Sequence, residues 1–337
     1  MDEPPEEQLG AAAGERTLRR RALLLLVLLA GCGSGGEGGN PADPCQHVPP
    51  SPGTVGGTGQ IRTVFLIVLE NHAWAEIQGS PSAPFLNETL LPAASHAEQY
   101  FNPPGLHPSE PNYLWLEGGT SYGITNDDPP AVNHLPNRDH LVTQLEAAGI
   151  SWTSYQEGIS GLDCPLVAQG HYAPKHNPMV FFDDVTDGNA PYSARCIAHV
   201  RPLEELYPAL QADSVARYVF ITPDLCHDMH DSTGCATADP IRNGDDWLRT
   251  AVPQILASPA YQDGALLITW DESEEGVDRP IGMIVLSPFA KGGGYAGTIP
   301  YTHGSTLRTV QEIFGVRPFL CDAEQATDLS DLFTSFP

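Results

Sequence analysis

The run Val64-Phe65-Leu66-Ile67-Val68-Leu69 decides the fold, and Glu70 and Asn71 follow it at once. An unbroken run of strand-forming apolar residues predicts a strand buried on both faces, as in a parallel sheet. Three later runs have the same character, at residues 218–221, 265–270 and 283–286. Helical patterns alternate with the strands, at residues 85–94, 138–148, 202–211, 245–256 and 305–314. This alternation predicts an α/β fold with a doubly wound, mostly parallel sheet flanked by helices.

Three of the predicted strands run directly into polar side chains. Glu70 and Asn71 follow the first strand, residues 224–231 follow the second, and Asp271 and Glu272 follow the third. Because ligands of open α/β sheets bind outside the carboxyl ends of the strands, we expect these groups to converge. Four oxygen ligands from two strand ends suit Ca²⁺, Mg²⁺ or Mn²⁺. The alternative interpretation is an acidic loop rim without a metal.

The segment from Asp224 to Asp231 holds three acids and two histidines within eight residues. Histidine beside carboxylate can bind metal, act as a general acid or hold a phosphate oxygen. We favour Asp228 and His230 for such a role, and a solvated loop is the alternative. His303 lies just before a predicted helix, and because a helix N-terminus favours anions, it is a candidate for phosphate recognition.

A nucleophile candidate is Ser109, in His107-Pro108-Ser109-Glu110-Pro111-Asn112. The two prolines frame a turn that opens an apolar helix. A serine at such a junction is otherwise an N-cap that stabilises the helix start. Arg138 and Lys175 are further candidates, as cations that orient a substrate.

The first residues of the chain have the pattern of an export signal. Four arginines lie between Arg16 and Arg21, and the apolar run 22–30 is too short to span a bilayer. Leu29-Ala30-Gly31-Cys32 resembles a bacterial lipobox, which implies a lipid on Cys32. We therefore expect a lipoprotein signal peptide at 1–31, a flexible Gly/Pro-rich linker at 32–59 and a single domain at 60–337. An ordinary cleaved signal followed by a free cysteine is the alternative.

The predicted leader also bears on location. An exported protein with a lipidated Cys32 would contact the membrane through that lipid and stay attached to the bacterial cell envelope. Six other cysteines form an even set, as expected in an oxidising compartment, and 15 pairings are open to them. Our expectation is Cys226–Cys235, Cys164–Cys196 and Cys45–Cys321.

The chain is strongly acidic, with 42 acidic and 16 basic residues and a formal net charge of −26 at pH 7. Such a field repels nucleic acid, so we expect no nucleic-acid partner, and it also repels anionic lipid surfaces. An anionic substrate must therefore be held by local groups, such as a metal ion or a few well-placed cations.

Seven stretches in this order resemble the phosphoesterase family of secreted acid phosphatases and phosphatidylcholine-type phospholipases C, within the alkaline-phosphatase superfamily. The resemblance covers about residues 62–333 and implies an alkaline-phosphatase-like fold. The stretches are VLENHAWAEI (68–77), HPSEPNYLWLEGGT (107–120), LEAAGISWTSYQEG (145–158), YAPKHNPMVFF (172–182), VFITPDLCHDMHD (219–231), LLITWDESE (266–274) and YTHGSTLRTVQEIFG (301–315).

The resemblance implies a role for each matching position. Glu70, Asn71, Asp271 and Glu272 match metal ligands of the family. Ser109 matches the nucleophile, which also contacts the metal, since it stands three residues before the Asn of a Pro-Asn pair.

The other matching positions belong to the phosphate-binding wall. Asn126 occupies a place where relatives bind a phosphoryl oxygen. Asp228, His230 and His303 match the remaining polar groups, whereas His227 departs from the family pattern and receives no role.

The implied activity is an exported acid-phosphatase-type hydrolysis of phosphate monoesters through a metal-activated serine and a phosphoserine intermediate. The implied cofactor is a divalent ion (Ca²⁺, Mg²⁺ or Mn²⁺), and the substrate is a small phosphate ester, including a phosphoinositide or other phospholipid head group. Histidines near the leaving oxygen, protonated below about pH 6.5, would favour an acidic optimum.

Three other classes compete with this interpretation. A phospholipase C-like phosphodiesterase acting on phospholipids is the main alternative, and a catalytically silent surface lipoprotein is another. A sulfatase is disfavoured, because Tyr113 stands where the sulfatase motif has arginine.

Overall fold

The computed structural model describes Cys45 and residues 59–231, 233–273 and 276–337. The predicted signal peptide 1–31, Cys32 and nearly all of the predicted linker 32–59 lie outside the described residues, so these remain predictions. Within the described part, none of the helices combines the length and the apolarity that a membrane span requires.

Ten strands occur in the described residues, eight of them in one sheet. They are β1 Thr63–Leu69, β2 Ser95–Ala97, β3 Tyr100–Phe101, β4 Trp152–Gln156, β5 Val200–Pro202, β6 Tyr218–Thr222, β7 Gly264–Trp270, β8 Met283–Leu286, β9 Tyr295–Gly297 and β10 Tyr301–Thr302. The main sheet has the order β5-β4-β6-β1-β7-β8-β2-β9, and β10 pairs with β3 in a small second sheet.

The centre of the main sheet is parallel. Strand β1 pairs in parallel with β6 on one side and with β7 on the other, while β4 and β5 continue the parallel set. Strand β8 runs antiparallel to both of its neighbours, so β2 and β9 again run in the direction of β7. Every residue of β1, β6 and β7 is buried, as expected for strands covered on both faces. The carboxyl ends of these strands therefore share one edge.

In the part of the chain that the structure describes, ten α-helical segments and several short 3₁₀ turns surround the sheet. The α-helices are α1 Trp74–Ile77, α2 Leu91–Ala93, α3 Ser109–Gly118, α4 Pro130–Asn133, α5 Leu141–Ala147, α6 Asp183–Thr186, α7 Ala194–His199, α8 Leu206–Gln211, α9 Pro240–Leu256 and α10 His303–Phe314. A π-helical segment, Leu86–Leu90, precedes α2. Helix α3 packs against α5 and α10, whereas α8 packs against α9.

The predicted fold class is confirmed: the sheet is mostly parallel and flanked by helices. The predicted helix at 85–94 is wrong in type, because its first half is π-helical. Helix α9 begins five residues before its predicted start at Asp245. The side chain of Asp239 caps it by accepting a hydrogen bond from Arg242 N, and Pro240 provides a suitable first position.

Two of the three expected disulfides are formed, Cys164–Cys196 and Cys226–Cys235. The third expected pairing is Cys45–Cys321. The two residues are neighbours, since the Cys321 sulfur lies 3.8 Å from the carbonyl oxygen of Cys45. This pairing remains a prediction.

Candidate active site

The ends of β1, β6 and β7 are joined by backbone hydrogen bonds that continue past the strands. Glu70 N donates to the carbonyl of Asp228 at 2.7 Å, and Asp271 N donates to the carbonyl of Leu69 at 2.9 Å. Asn71 adopts a left-handed conformation (φ 57°), and its N–H donates to Asp271 Oδ1 at 3.1 Å. Three polar segments that are far apart in sequence thus meet at one edge of the sheet.

Ser109 is the first residue of α3 and is 2% exposed. Its hydroxyl donates a hydrogen bond to Glu70 Oε2 at 3.0 Å. The turn before it is held by Asn112, whose side-chain amide donates to the carbonyls of Leu106 (3.0 Å) and Pro108 (3.1 Å). The sequence places a serine hydroxyl at a helix N-terminus, and the fold aims it at the strand-end carboxylate.

Buried carboxylates crowd this edge. Glu70, Asp228 and Asp271 are all fully buried, and burial raises the pKa of each above its ordinary value. The charge of Asp271 raises the pKa of Glu70 and Asp228 further, whereas the ammonium group of Lys175 lowers the pKa of all three. One lysine opposes three buried acids, so the arrangement calls for additional positive charge.

Several buried polar atoms here have no hydrogen-bond partner among the described residues, namely Glu70 Oε1, His176 Nε2 and Asp271 Oδ2. Glu70 Oε1 and His176 Nε2 lie 3.2 Å apart, but their approach lacks hydrogen-bond geometry. With His230, these two residues can place three ligand atoms within 4.8 Å of one another. Unpaired carboxylate oxygens and an imidazole nitrogen match the ligand chemistry of a divalent cation, so the residues fit a metal site.

His176 is the main residue that sequence reasoning missed. It lies in the 3₁₀ turn Pro174–His176, its Nδ1 hydrogen-bonds Asp228 Oδ2 at 3.0 Å, and its ring stacks on Tyr113 with centroids 5.2 Å apart. Burial lowers its pKa well below the ordinary histidine value, which keeps the ring neutral and able to bind a cation. The only sequence signal was its place in the stretch YAPKHNPMVFF.

His230 lies on the wall of the site beside a cation. Its Nε2 is 3.2 Å from Lys175 Nζ, and its Nδ1 hydrogen-bonds Asp231 Oδ1 at 2.9 Å. Asp228 Oδ1 accepts a hydrogen bond from His230 N at 2.8 Å, so Asp228 orients both site histidines. The Cys226–Cys235 disulfide joins cysteines nine residues apart and constrains the segment that carries Asp228 and His230.

Glu272 is buried next to Asp271, but its carboxylate is engaged by a second histidine that sequence reasoning gave no role. His107 Nδ1 makes a short contact with Glu272 Oε2, and His107 Nε2 lies 3.3 Å from Asp278 Oδ1. His107 also stands two residues before Ser109 in the chain. It therefore links the nucleophile segment to the turn after β7.

His303 lies at a helix start, as predicted, but both of its ring nitrogens contact protein groups. It is fully buried at the start of α10, its Nε2 donates to the carbonyl of Asp271 at 2.6 Å, and its Nδ1 lies 3.1 Å from the hydroxyl of Tyr100. Burial lowers its pKa to about 4. Because both ring nitrogens bond protein groups, the predicted contact with a phosphate oxygen does not fit, and His303 instead holds the Asp271 turn.

Asn126 lies on an exposed loop and hydrogen-bonds neighbouring polar groups. Its side chain accepts from Asn133 at 2.8 Å and donates to Asp128 at 2.9 Å. The next residue, Asp127, accepts from Glu110 N at 3.0 Å and pairs with Lys175 at 3.1 Å. The loop thus borders the site through Asp127, and the role predicted for Asn126 stays a prediction.

Comparison with known proteins gives consistent findings. The model of the Phosphoesterase family matches residues 93–317. The chain is 31% identical over 272 residues to a phosphatidylinositol-3-phosphatase of Mycobacterium tuberculosis, covering 80% of this chain and 82% of that protein. It is 28% identical to a probable acid phosphatase of Kluyveromyces lactis, covering 66% of this chain and 50% of that protein.

The chain spans half or less of the length of its fungal relatives. A phosphate-repressible acid phosphatase of Penicillium chrysogenum is 30% identical, with 50% of this chain and 39% of that protein covered.

Solved structures confirm the alkaline-phosphatase-like fold. A phosphonate monoester hydrolase of Agrobacterium radiobacter superposes with a TM-score of 0.53 at 12% identity, covering 82% of this chain and 78% of that chain. A protein of the alkaline phosphatase superfamily from Vibrio parahaemolyticus gives a TM-score of 0.52 at 12% identity, covering 82% and 74%. At this identity, the likeness concerns the fold alone.

Proposed function

The chain belongs to the Phosphoesterase family, and we propose that it is an exported phosphoric monoester hydrolase of acid-phosphatase type in which Ser109 attacks phosphorus. The relatives named acid phosphatase and phosphatidylinositol-3-phosphatase support phosphoester hydrolysis as the reaction class. Export and attachment to the cell envelope through a lipid on Cys32 are part of the proposal and rest on the leader sequence.

One observation carries the proposal. The Ser109 hydroxyl is buried and donates to Glu70 at 3.0 Å, in a site where buried oxygen and nitrogen atoms lack protein partners. The N-cap of α3 is Pro108, so Ser109 is the first helical residue and does not occupy the position from which a serine caps a helix. The hydroxyl is therefore placed for chemistry at the strand ends.

A divalent cation would be held by Glu70 and Asp271, with Asn71, Ser109 and Glu272 as the other ligands that the family resemblance implies. The structure adds the His176 nitrogen to these candidates. Such an ion supplies Lewis-acid chemistry: it neutralises phosphoryl charge and lowers the pKa of a bound hydroxyl.

The protein groups account for the rest of the reaction. Glu70 accepts the hydrogen bond of Ser109 and orients its oxygen for in-line attack. A bond forms between the Ser109 oxygen and phosphorus as the bond to the leaving alcohol breaks; the serine proton leaves through Glu70, and the alcohol takes up a proton. Lys175 offers N–H donors to the phosphoryl oxygens, and His230, whose Nε2 lies 3.2 Å from Lys175 Nζ, is the second candidate for contact with them. Water then cleaves the phosphoserine and releases phosphate.

The proposed substrate is a phosphate monoester, including a phosphorylated inositol lipid head group. The Mycobacterium tuberculosis relative, 82% of which is covered by this chain, is named a phosphatidylinositol-3-phosphatase, and this name favours the phosphoinositide class of substrate. A phospholipase C-like phosphodiesterase remains the second candidate, because the family resemblance includes such enzymes.

The test is trapping of the covalent intermediate. The full chain is mixed with labelled p-nitrophenyl phosphate, quenched in acid and mapped by peptide analysis, and we expect label on Ser109. Ser109→Ala should lose at least about 10³-fold in kcat. Ser258→Ala is the matched control, since Ser258 is also buried but its hydroxyl donates to the Ile255 carbonyl, at the opposite edge of the sheet. Label on another residue, or an active Ser109→Ala enzyme, would refute the mechanism.

The monoesterase and diesterase alternatives are separated with the same protein. We expect p-nitrophenyl phosphate to be hydrolysed much faster than bis-p-nitrophenyl phosphate. The reverse order would favour the phospholipase C-like reaction.

A further inference from the structure

Six large hydrophobic side chains are exposed in the described residues. They are Val132, Leu162, Val167, Tyr192, Val277 and Ile299. Val277 follows β7 and Ile299 follows β9, at the carboxyl edge that carries Ser109. Val132 lies on α4, whose last residue Asn133 bonds Glu110 beside the nucleophile.

Three of these side chains lie on two neighbouring loops. Leu162, Val167 and Tyr192 are 81%, 70% and 80% exposed, far above what a core-forming residue shows. Their loops, 158–170 and 188–193, are joined by a hydrogen bond from Cys164 N to Pro191 O at 2.8 Å. We call these two loops the apolar rim.

A disulfide constrains the apolar rim, which lies close to the candidate active site. The Cys164–Cys196 disulfide fixes the first loop to α7, so the apolar tips are presented by a constrained segment. The first loop begins just after the carboxyl end of β4 and leads into Lys175 and His176 of the candidate active site. A surface that contacts the apolar rim would therefore lie on the active-site side of the sheet.

The net charge of the chain indicates which kind of surface the apolar rim can bind. In a chain of net charge −26, the apolar rim contains one charged residue, Asp163, which is hydrogen-bonded by Ser160 at 2.7 Å. An acidic protein is repelled by anionic lipid, whereas a neutral surface leaves hydrophobic contact unopposed. Transfer of exposed Leu, Val and Tyr side chains from water to the boundary between head groups and acyl chains is favourable, because it buries their apolar surface.

We infer that the apolar rim is a docking surface for a neutral, zwitterionic phospholipid bilayer, which it meets with the Ser109 edge facing the lipid. A second copy of the chain fits less well, since a stable protein interface takes roughly 20–30 residues a side, whereas a bilayer requires no matching shape. The orientation rests on the proposed function, because a lipid head group reaches Ser109 only from the membrane side.

The test is binding of the full chain to phosphatidylcholine vesicles, measured by co-sedimentation. Cys32→Ala is included in every protein so that no attached lipid contributes. The variant Leu162→Ser/Val167→Ser/Tyr192→Ser should bind at least about tenfold more weakly than the parent. Addition of anionic phosphatidylglycerol should weaken the binding of the parent.

The matched control is Gln60→Ser/Gln211→Ser/Gln262→Ser, three exposed residues that precede β1, β6 and β7 at the opposite edge. It should bind like the parent. Failure of the parent to bind, equal binding of the Leu162/Val167/Tyr192 variant, or self-association of the parent that this variant abolishes would overturn the inference.

Hydrolysis of p-nitrophenyl phosphate is measured for all proteins and should be unchanged, which shows that the variants are folded. A parent that binds vesicles but hydrolyses no phosphate ester would retain the docking surface and refute the proposed function instead.

Discussion

At the scale of single residues, His176 is held between two carboxylates from different strand ends. Asp228 bonds its Nδ1 at 3.0 Å, and Glu70 Oε1 lies 3.2 Å from its Nε2. The Asp228 contact fixes the ring so that Nε2 faces Glu70, the carboxylate that accepts the hydrogen bond of the Ser109 hydroxyl. A neutral, oriented imidazole of this kind is a typical feature of metal and phosphate sites.

Replacement of His176 should therefore affect chemistry more than folding. We expect His176→Gln to lower kcat toward p-nitrophenyl phosphate by about 10²-fold or more, because the amide cannot replace both nitrogens. The control is His199→Gln, since His199 is partly exposed and stacks on Trp152 away from the site. Unchanged kcat in His176→Gln would remove this residue from the site.

At the residue scale, the convergence of polar groups could be predicted from sequence where such a group directly follows a buried strand. Glu70 and Asp271 have that position, so their convergence follows from the sheet alone. His107 and His176 lie in long connections whose path depends on tertiary contacts, and no local pattern distinguishes them from loop histidines. His303 is at a helix start as predicted, but burial behind Asp271 turns it away from a ligand.

At the scale of secondary-structure elements, a buried polar network ties the nucleophile helix to its neighbours. Glu117 of α3 bonds His140 Nδ1 at 3.0 Å, and Asp184 of α6 bonds His140 Nε2 at 3.0 Å. Glu117 also accepts from Val142 N of α5 at 2.8 Å, and the His140 ring stacks on Phe182. One imidazole thus joins α3, α5 and α6.

The network predicts a pH-dependent contribution to stability. Burial alone would lower the pKa of His140, but the hydrogen bonds and charges of Asp184 and Glu117 outweigh it and raise that pKa to about 9. Since the unfolded value is about 6.5, the stabilisation is fully present below that pH and is lost as the pH rises through about 9.

His140→Gln should therefore reduce the free energy of unfolding by about 3 kcal/mol at pH 6 and by clearly less at pH 10. Urea denaturation at the two pH values measures the difference. His134→Gln is the control, since His134 is more exposed and pairs with Asp183 near the surface, and it should change stability little. An equal loss at both pH values would show that the network does not stabilise the fold through the charge of His140.

The same scale explains which elements could be predicted. Strands β1, β6, β7 and β8 are short unbroken apolar runs, so their sequences are sufficient to identify them. Strand β4 contains Thr153 and Ser154, and β2 and β9 have three residues each, so pairing with neighbours rather than local pattern forms them.

At the scale of the whole molecule, the net charge of −26 opposes the approach of any phosphate ester. We expect kcat/KM for p-nitrophenyl phosphate to rise severalfold between 10 and 150 mM NaCl, because the screening length falls from about 30 Å to about 8 Å. Phosphocholine, whose positive group offsets part of the phosphate charge, should respond less. A fall with salt would mean that Lys175 and other local cations dominate the encounter.

Because β1, β6 and β7 are parallel, the candidate site lies at the carboxyl edge of the sheet, and the amino edge is left without a site among the described residues. The segments that lead into β1, β6 and β7 carry none of the candidate site groups, and Gln60, Gln211 and Gln262 are exposed there. A dye, an affinity handle or a solid support coupled through those positions would leave the carboxyl edge of the sheet, which carries Ser109, accessible. Immobilised enzyme tethered in this way would keep its Ser109 face toward the reactants that flow past it.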